Sequence, residues 1–390
     1  MKILVLHNEY QQYGGEDAVV NNETKLLRSH DHEVYLEIIS NHKIKNFWSK
    51  ILAATDLVFS LPSYFWLKRK LSEIKPDIVH VHNFFPLYSP SIFYACKSMG
   101  IPVVFTLHNY RILCPTALLM FDSAITEESI KNGPWWAIQK KVYRNSFFAT
   151  FLLTFMIAIH RKIGTWNNIV DQFIVLTDFA RKKFASANIP IDKISIKSNF
   201  IDLPDNDTKY RSNRFLYVGR ISSEKGIMTL SETLKITNKA LNVTIVGDGP
   251  LLNTLDSSLI TLEGKKKPRE VFLMMKEHFA LVMPSIWYEG FPMTLVEAYA
   301  NSLPVIASRI GALEELVEHG VTGLLFEAGN ANDLRKCMEW ALDNPDKMYE
   351  MGINARKRYE ELYTAEKNYA QLIAIYEKTI ASVSRKNDEK

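Results

Sequence analysis

Ala280-Leu281-Val282-Met283-Pro284-Ser285-Ile286-Trp287-Tyr288-Glu289-Gly290-Phe291-Pro292-Met293-Thr294-Leu295-Val296-Glu297-Ala298 decides the fold. Ala280–Met283 is a short apolar run of the kind that forms a strand buried on both faces. A loop carrying proline and glycine stops it, and a helix follows. Two glutamates stand eight positions apart: Glu289 in the loop and Glu297 in the first turns of the helix. In an open α/β sheet the carboxyl end of such a strand lines the ligand crevice. The backbone N–H groups near Met293, Thr294 and Leu295 would point into that crevice and favour an anion.

The same unit recurs outward. Arg214–Val218, Val243–Val246, Pro304–Ala307 and Gly323–Phe326 read as strands separated by helices, with further helices from Ala331 onward. In the first half Lys2–Leu6, Glu33–Ile39, Asp77–Val81, Pro102–Thr106 and Phe173–Leu176 read as strands, and Asp17–Ser29 as a helix. Tyr110–Trp166 breaks the rhythm as an insertion. Asp202–Thr208 is polar with one proline and reads as a linker. The fold class is therefore α/β: two Rossmann-like doubly wound domains facing each other across a cleft, residues 1–200 and 213–364, joined by 201–212.

A chain of 390 residues suits two cores, and 47% hydrophobic residues make it globular. A formal charge of +4 is too small for a dedicated nucleic-acid binder. Cys96, Cys114 and Cys337 are scattered, which fits a reducing cytosol and gives no disulfide or zinc framework. The apolar start, Met1–Leu6, is too short for a signal peptide. Phe147–Ile159 is nearly all apolar between Lys140, Lys141 and Arg144 on one side and Arg161 and Lys162 on the other. It is too short to span a bilayer. It reads either as a buried core helix or as an interfacial helix whose basic flanks grip anionic lipid.

Three more turns carry chemistry. Asn8–Asp17 holds Gly14-Gly15 between a strand and a helix. It is either a close approach of backbone to a ligand or a plain turn in which Glu16 and Asp17 complement the helix dipole. Val218-Gly219-Arg220-Ile221-Ser222-Ser223-Glu224-Lys225-Gly226 sets two cations beside a softened turn. Arg220 either forks onto a diphosphate or pairs with Glu224. Val246-Gly247-Asp248-Gly249-Pro250 ends the next strand. His80 and His82 face one side of a strand, and with His108 they lie at strand ends rather than at metal-ligand spacing.

In this order, these segments resemble family 4 of the glycosyltransferases, with the glycosyltransferase B fold. Glu289 and Glu297 match its E-x7-E element, Gly14-Gly15 its G-G turn, Gly219, Arg220, Lys225 and Gly226 its G-R-x4-K-G element, and Gly247–Pro250 its G-x-G-P turn. Val79–Pro86 resembles a subset that builds bacterial surface polysaccharides. The resemblance covers nearly the full chain.

It implies an acceptor-binding first domain and a nucleotide-sugar-binding second one, with a helix at about 365–385 packing back onto the first. Arg220 and Lys225 would hold the donor diphosphate, helped by Gly14, Gly15 and Gly247. Glu297 would bind the ribose hydroxyls. Catalytic roles fall to His108, beside the transferred sugar, and to Glu289, which with Phe291, Pro292, Met293, Thr294 and Leu295 contacts the sugar and the distal phosphate. Glu16, Asn83 and Arg111 fall to the acceptor, and base contacts to Gly264–Arg269. Pro292 replaces a glycine common in relatives and removes one N–H. Phe200 stands after Ser198-Asn199 where glycine is common. The implied enzyme is a retaining hexosyltransferase that needs no metal and no cofactor. Its partners would be a nucleotide-diphosphate-sugar and a lipid-linked acceptor in O-antigen, capsule or exopolysaccharide synthesis, at the cytoplasmic face of the membrane. The alternatives are a sugar-nucleotide epimerase and a non-catalytic scaffold of a polysaccharide assembly complex.

Overall fold

The computed structural model describes residues 1–9, 14–40, 56–202 and 211–388. Tyr10–Tyr13 of the first glycine loop and residues 203–210 of the expected linker lie outside these. The chain divides into two compact units. The first takes the described residues of Met1–Phe121 and Thr126–Ser198 together with the final helix from Asn368 on; the second takes Asp122–Ile125 and the described residues of Asn199–Lys367.

In the first unit the elements run β1 (Lys2–Glu9), α1 (Gly15–Ser29), β2 (Glu33–Ser40), α2 (Leu61–Ile74), β3 (Ile78–Asn83), α3 (Ser91–Ser98), β4 (Val103–Thr106), α4 (Phe147–Lys162), β5 (Gln172–Val175), α5 (Asp178–Ser186) and β6 (Ile194–Ile196). The sheet is parallel, in the order β2-β1-β3-β4-β5-β6. Its core joins Ile3, Val5, Ile78, Val104 and Ile174 from the sheet to Val20 and Leu27 of α1. Leu372, Ile375 and Tyr376 of the final helix complete it. Continuous apolar runs such as Ile3–Leu6 are what a sheet covered on both faces requires.

In the second unit β7 (Phe215–Val218), α6 (Ile227–Ile236), β8 (Val243–Val246), β9 (Ile260–Gly264), α7 (Pro268–Glu277), β10 (Ala280–Met283), α8 (Met293–Ala300), β11 (Val305–Ser308), α9 (Gly311–Leu316), β12 (Gly323–Phe326), α10 (Ala331–Asp343) and α11 (Pro345–Leu362) follow, and α12 (Ala365–Asp388) closes the chain. The sheet is parallel in the order β9-β8-β7-β10-β11-β12, the Rossmann arrangement. Strand order reverses between β7 and β10, and between β1 and β3 in the first unit. Those switch points are where such sheets bind ligands.

Two strands of the six-stranded sheets escaped the sequence reading, Ile194–Ile196 and Ile260–Gly264. Both carry half-exposed, polar-interrupted patterns because each is an edge strand. The Tyr110–Trp166 stretch contains short helices and α4. One face of α4, with Leu153, Met156 and Ile157, is buried. Along the other, Phe147, Phe148, Phe151 and Phe155 are 58%, 60%, 40% and 39% exposed. The helix is thus apolar all round yet only half covered, which the purely buried reading did not allow. Among the described residues no helix is long and apolar enough to cross a membrane.

Candidate active site

In the second unit the loops after β7 and β10 flank the switch point. Glycine sets their distance. Gly226 has φ +68°, and a Cβ on it would lie 1.7 Å from the Pro284 carbonyl oxygen. Gly247, at φ +146°, packs on Gly219 in the same way, its Cβ position 1.9 Å from the Gly219 oxygen. The Ile286 N–H donates to the Glu224 carbonyl at 3.0 Å, tying the two loops. The two motifs therefore interlock through bare backbone, which explains why glycine stands at these positions.

Lys225 Nζ donates to Glu289 Oε1 at 2.7 Å and to Oε2 at 3.0 Å. Ser285 Oγ adds a third hydrogen bond to Oε1 at 2.7 Å. The Lys225 ammonium also lies 5.4 Å from the Trp287 ring centroid. Arg220 is exposed, and Glu224, its alternative partner, accepts from Ser222 Oγ at 2.6 Å. Pro292 caps α8 with φ −75°, and its carbonyl accepts from Leu295 N–H at 3.1 Å. Phe291 and Leu295 are buried beneath, while Met293 and Thr294 are half-buried at the helix start. Glu297 sits one turn in, and burial pushes its carboxyl up to about 7. Gly247 N–H donates to Gly264 O at 2.9 Å, which brings the Gly264–Arg269 stretch beside the same edge. One loop pair thus gathers two cations, two carboxyls and a helix N-terminus, a combination suited to a diphosphate and to hydroxyl groups.

In the first unit, Gly14 and Gly15 are exposed at the start of α1 and Glu16 is half-buried. Asp17 Oδ2 accepts the Gly14 N–H at 2.7 Å, and its Oδ1 lies 2.7 Å from His7 Nε2. Asn83 is spent on backbone: its Nδ2 donates to Asn8 O at 2.9 Å and its Oδ1 accepts Phe85 N–H at 2.9 Å. The Arg111 guanidinium lies 4.7 Å from the Phe85 ring centroid and donates to Pro115 O. A small cavity is lined by His82, Asn83, Phe85, His108, Asn109 and Arg111. His82 Nδ1 and His108 Nε2 are 3.0 Å apart. Burial pushes His108 down to about 3 and His80 and His82 well below their ordinary value.

Among the neighbours of these histidines, His7, Glu23 and Lys197 were not singled out from sequence. The His7–Asp17 pair is fully buried, as are Glu23 and Lys197, which form an ion pair. Glu23 could have been found. It falls at helical spacing on the stripe Val19, Val20, Leu26 and Leu27, an acid on an apolar face. Lys197 follows an edge strand and carried no such signal. Glu23, His80 and His82 hold ligand-type atoms within 4.8 Å of one another, although sequence spacing alone shows no such grouping.

The described geometry agrees with what comparison shows. Residues 201–358 match the model for glycosyl transferases group 1, and residues 13–204 the model for glycosyltransferase family 4. An uncharacterised glycosyltransferase of Methanocaldococcus jannaschii is 34% identical over 392 residues, spanning 97% of this chain and 98% of that one. This chain is a family 4 glycosyltransferase. An Escherichia coli UDP-Gal:alpha-D-GlcNAc-diphosphoundecaprenol alpha-1,3-galactosyltransferase is 28% identical over 291 residues, covering 70% of this chain and 68% of its own. The Anabaena protein HepE in complex with UDP shares the fold at a TM-score of 0.66 and 17% identity, over 99% of this chain and all of its own. Sucrose-phosphate synthase from Thermosynechococcus elongatus does so at 0.70 and 16%, over 98% of this chain and 99% of its own. The fold is thus that of the glycosyltransferase B class, and in this glycosyltransferase the loops holding Arg220, Lys225 and Glu289 follow the carboxyl ends of β7 and β10.

Proposed function

We propose that this glycosyltransferase moves a hexose, with retention at the anomeric carbon and without a metal ion, from a nucleoside-diphosphate sugar to a lipid-linked glycan in bacterial surface-polysaccharide synthesis. The observation that carries the reading is the Arg220, Lys225, Glu289 and Glu297 constellation around the start of α8. Arg220 and Lys225, with the helix N–H groups, neutralise the charge that grows on the leaving diphosphate. Lys225 exchanges Glu289 for phosphate, and Glu289 is then released to the sugar hydroxyls. Glu297 holds the ribose as a carboxylate, and His108 contacts the transferred sugar. The incoming hydroxyl attacks from the face that the phosphate leaves, and a phosphate oxygen takes its proton. Glu289 and Glu297 serve binding, since glycosidase-type chemistry needs two acids flanking the bond.

Relatives support the acceptor class. Besides the E. coli enzyme, a Staphylococcus aureus capsular polysaccharide biosynthesis glycosyltransferase is 25% identical over 264 residues. The exposed phenylalanines of α4, next to Lys140, Lys141 and Arg144, support contact with an anionic bilayer where such an acceptor resides. The test is product analysis with a panel of nucleotide sugars and undecaprenyl-diphosphate-linked acceptors, with and without a chelator. An α-linked product from an α-linked donor, unaffected by chelation, is expected. An inverted linkage or loss of activity with the chelator overturns the mechanism. An altered donor sugar without acceptor would instead identify an epimerase, and donor binding without any product a scaffold.

A further inference from the structure

Four histidines stand at the carboxyl edge of the first sheet, and they are held differently. His80 is closed off: its Nδ1 lies 2.6 Å from Tyr376 Oη and its Nε2 2.7 Å from Thr106 Oγ1. His7 is clamped by Asp17. His82 is a bridge. Its Nδ1 faces His108 Nε2 at 3.0 Å, and its Nε2 lies 3.4 Å from Glu23 Oε2, a charge contact without hydrogen-bond geometry. The other Glu23 oxygen holds the Lys197 ammonium, which also reaches Asn368 Oδ1 at 3.4 Å. Glu23, Lys197 and His82 are all nearly inaccessible to water.

Burial alone would raise the Glu23 carboxyl. The Lys197 charge and its hydrogen bond override this, and Glu23 is ionised. The same ammonium takes the place a cation would have on Glu23, and both nitrogens of His80 are engaged, so these residues are organised around Lys197 rather than a metal. A carboxylate only accepts. In a low-dielectric interior it repels a lone pair and attracts an N–H, so the His82 proton belongs on Nε2. A buried neutral ring carries one proton, and His82 Nδ1 is therefore a bare acceptor. Among the described residues the group facing it is His108 Nε2, which must then be the donor.

We propose that Glu23, Lys197 and His82 form a positioning chain that fixes His108 in the Nε2–H tautomer, leaving Nδ1 as an acceptor for a substrate hydroxyl. His108 then acts as a neutral acceptor and not as an acid. A protonated ring would oppose the positive charge that develops on a sugar in an oxocarbenium-like transition state, whereas a neutral one does not. This proposal rests on the reading that His108 touches the transferred sugar.

Its test is long-range 1H–15N NMR of the full chain labelled at histidine. In the unaltered protein, His82 and His108 are both expected with a protonated Nε2 and an unprotonated Nδ1. The double variant Glu23→Leu with Lys197→Met removes the carboxylate without leaving a lone buried charge, an exchange that folded proteins commonly tolerate. It is expected to mix the tautomers of both rings and to lower kcat at least tenfold, with the donor KM within twofold. A protonated Nδ1 on His108 in the unaltered protein overturns the chain, as does a double variant with unchanged tautomers and unchanged kcat. If no sugar is transferred at all, the role of His108 falls while the tautomer assignment stands. The two failures are therefore distinct.

Discussion

Lys225 and Glu289 are bound to each other, Nζ to Oε1 at 2.7 Å and to Oε2 at 3.0 Å, so the two motif loops of the second unit meet through a salt bridge as well as through glycine. Glu289 is almost fully buried, while Lys225 keeps about a quarter of its side chain in contact with solvent. An ion pair of this kind stabilises little by itself, but losing one partner strands the other.

The first prediction separates that structural contribution from donor binding. Among the described residues Lys225→Met leaves Glu289 with Ser285, and it should cost about 1–3 kcal/mol of stability. It should also raise the donor Kd at least tenfold. Glu289→Gln keeps a polar partner for both Lys225 and Ser285, so it should cost little stability and lower kcat more than donor affinity. Thermal denaturation with titration calorimetry checks both. A Lys225→Met protein that binds the donor normally would show that this lysine serves only to hold Glu289.

Gly226 offers a sharper geometric test. An alanine there would press Cβ into the Pro284 carbonyl and adopt an unfavourable φ of +68°. Overpacking and the left-handed backbone together should cost about 3 kcal/mol or more, and donor binding should disappear as the loops part. Gly320, at φ +79° with nothing within 4 Å of its Cβ position, is the control. Gly320→Ala should cost only about 1–2 kcal/mol and leave the donor Kd unchanged. Equal effects at the two glycines would mean that the interlock of the loops does not matter.

Much of this architecture was legible in the chain. The strands that carry the site are buried on both faces, so their residues are uniformly apolar, as in Ala280–Met283, and the motif loops follow at their carboxyl ends. What stayed hidden depends on tertiary approach. Glu23 and Lys197 are 174 residues apart in sequence and meet only because α1 and the end of β6 cover the same edge of one sheet. The partner of Lys225 was equally hidden. The turn itself offered Glu224 as an ion-pair partner for Arg220, but Ser222 engages Glu224, and the loop after β10 supplies Glu289 to Lys225 instead. Local spacing records which residues can reach a crevice; it does not record which of them already hold one another.

Glu297 yields a pH prediction. Its carboxyl is raised from 4.5 to about 7 by burial, so the folded protein holds this proton more tightly than the unfolded chain. Its contribution to stability is present below pH 4.5 and is lost as pH rises toward 7. Glu297→Gln should therefore melt higher than the unaltered protein at pH 8 and alike at pH 4.5. The proposed ribose contact needs the carboxylate, so donor affinity should rise from pH 6 to pH 8 in the unaltered protein and stay weak and flat in the variant. A melting difference that is the same at both ends would refute the burial of this carboxyl.

The exposed face of α4 predicts a lipid dependence. Phe147, Phe148, Phe151 and Phe155 lie along it, and the helix has no acidic residue. Binding to vesicles with anionic lipid should be strong at low salt and weak with neutral lipid, since basic flanks contribute about 1 kcal/mol each near such a surface. Phe148→Ser with Phe151→Ser should lower the vesicle-bound fraction at least fivefold and leave the melting temperature within a few degrees, as these rings are not in the core. Sedimentation with vesicles measures the first and calorimetry the second. Equal binding of the variant would remove α4 from any membrane role.

The buried histidines set the acid limit. His80, His82 and His108 are each lowered by burial, His108 to about 3, against an ordinary value of 6.5. As pH falls below 6.5 the unfolded chain takes up protons that the folded rings refuse, so stability is lost on acidification, opposite in sign to Glu297. Each ring contributes up to about 1.4 kcal/mol per pH unit. The three rings act in the same direction, so stability should fall steadily as pH drops below 6.5. Glu23, held below its ordinary value, adds to the loss at the acid end. Replacing His80 by Gln, which can still reach Thr106 or Tyr376, should flatten the fall of melting temperature between pH 6.5 and pH 4.5 by about a third. An unchanged slope would show that His80 titrates normally and that the cluster is open to water.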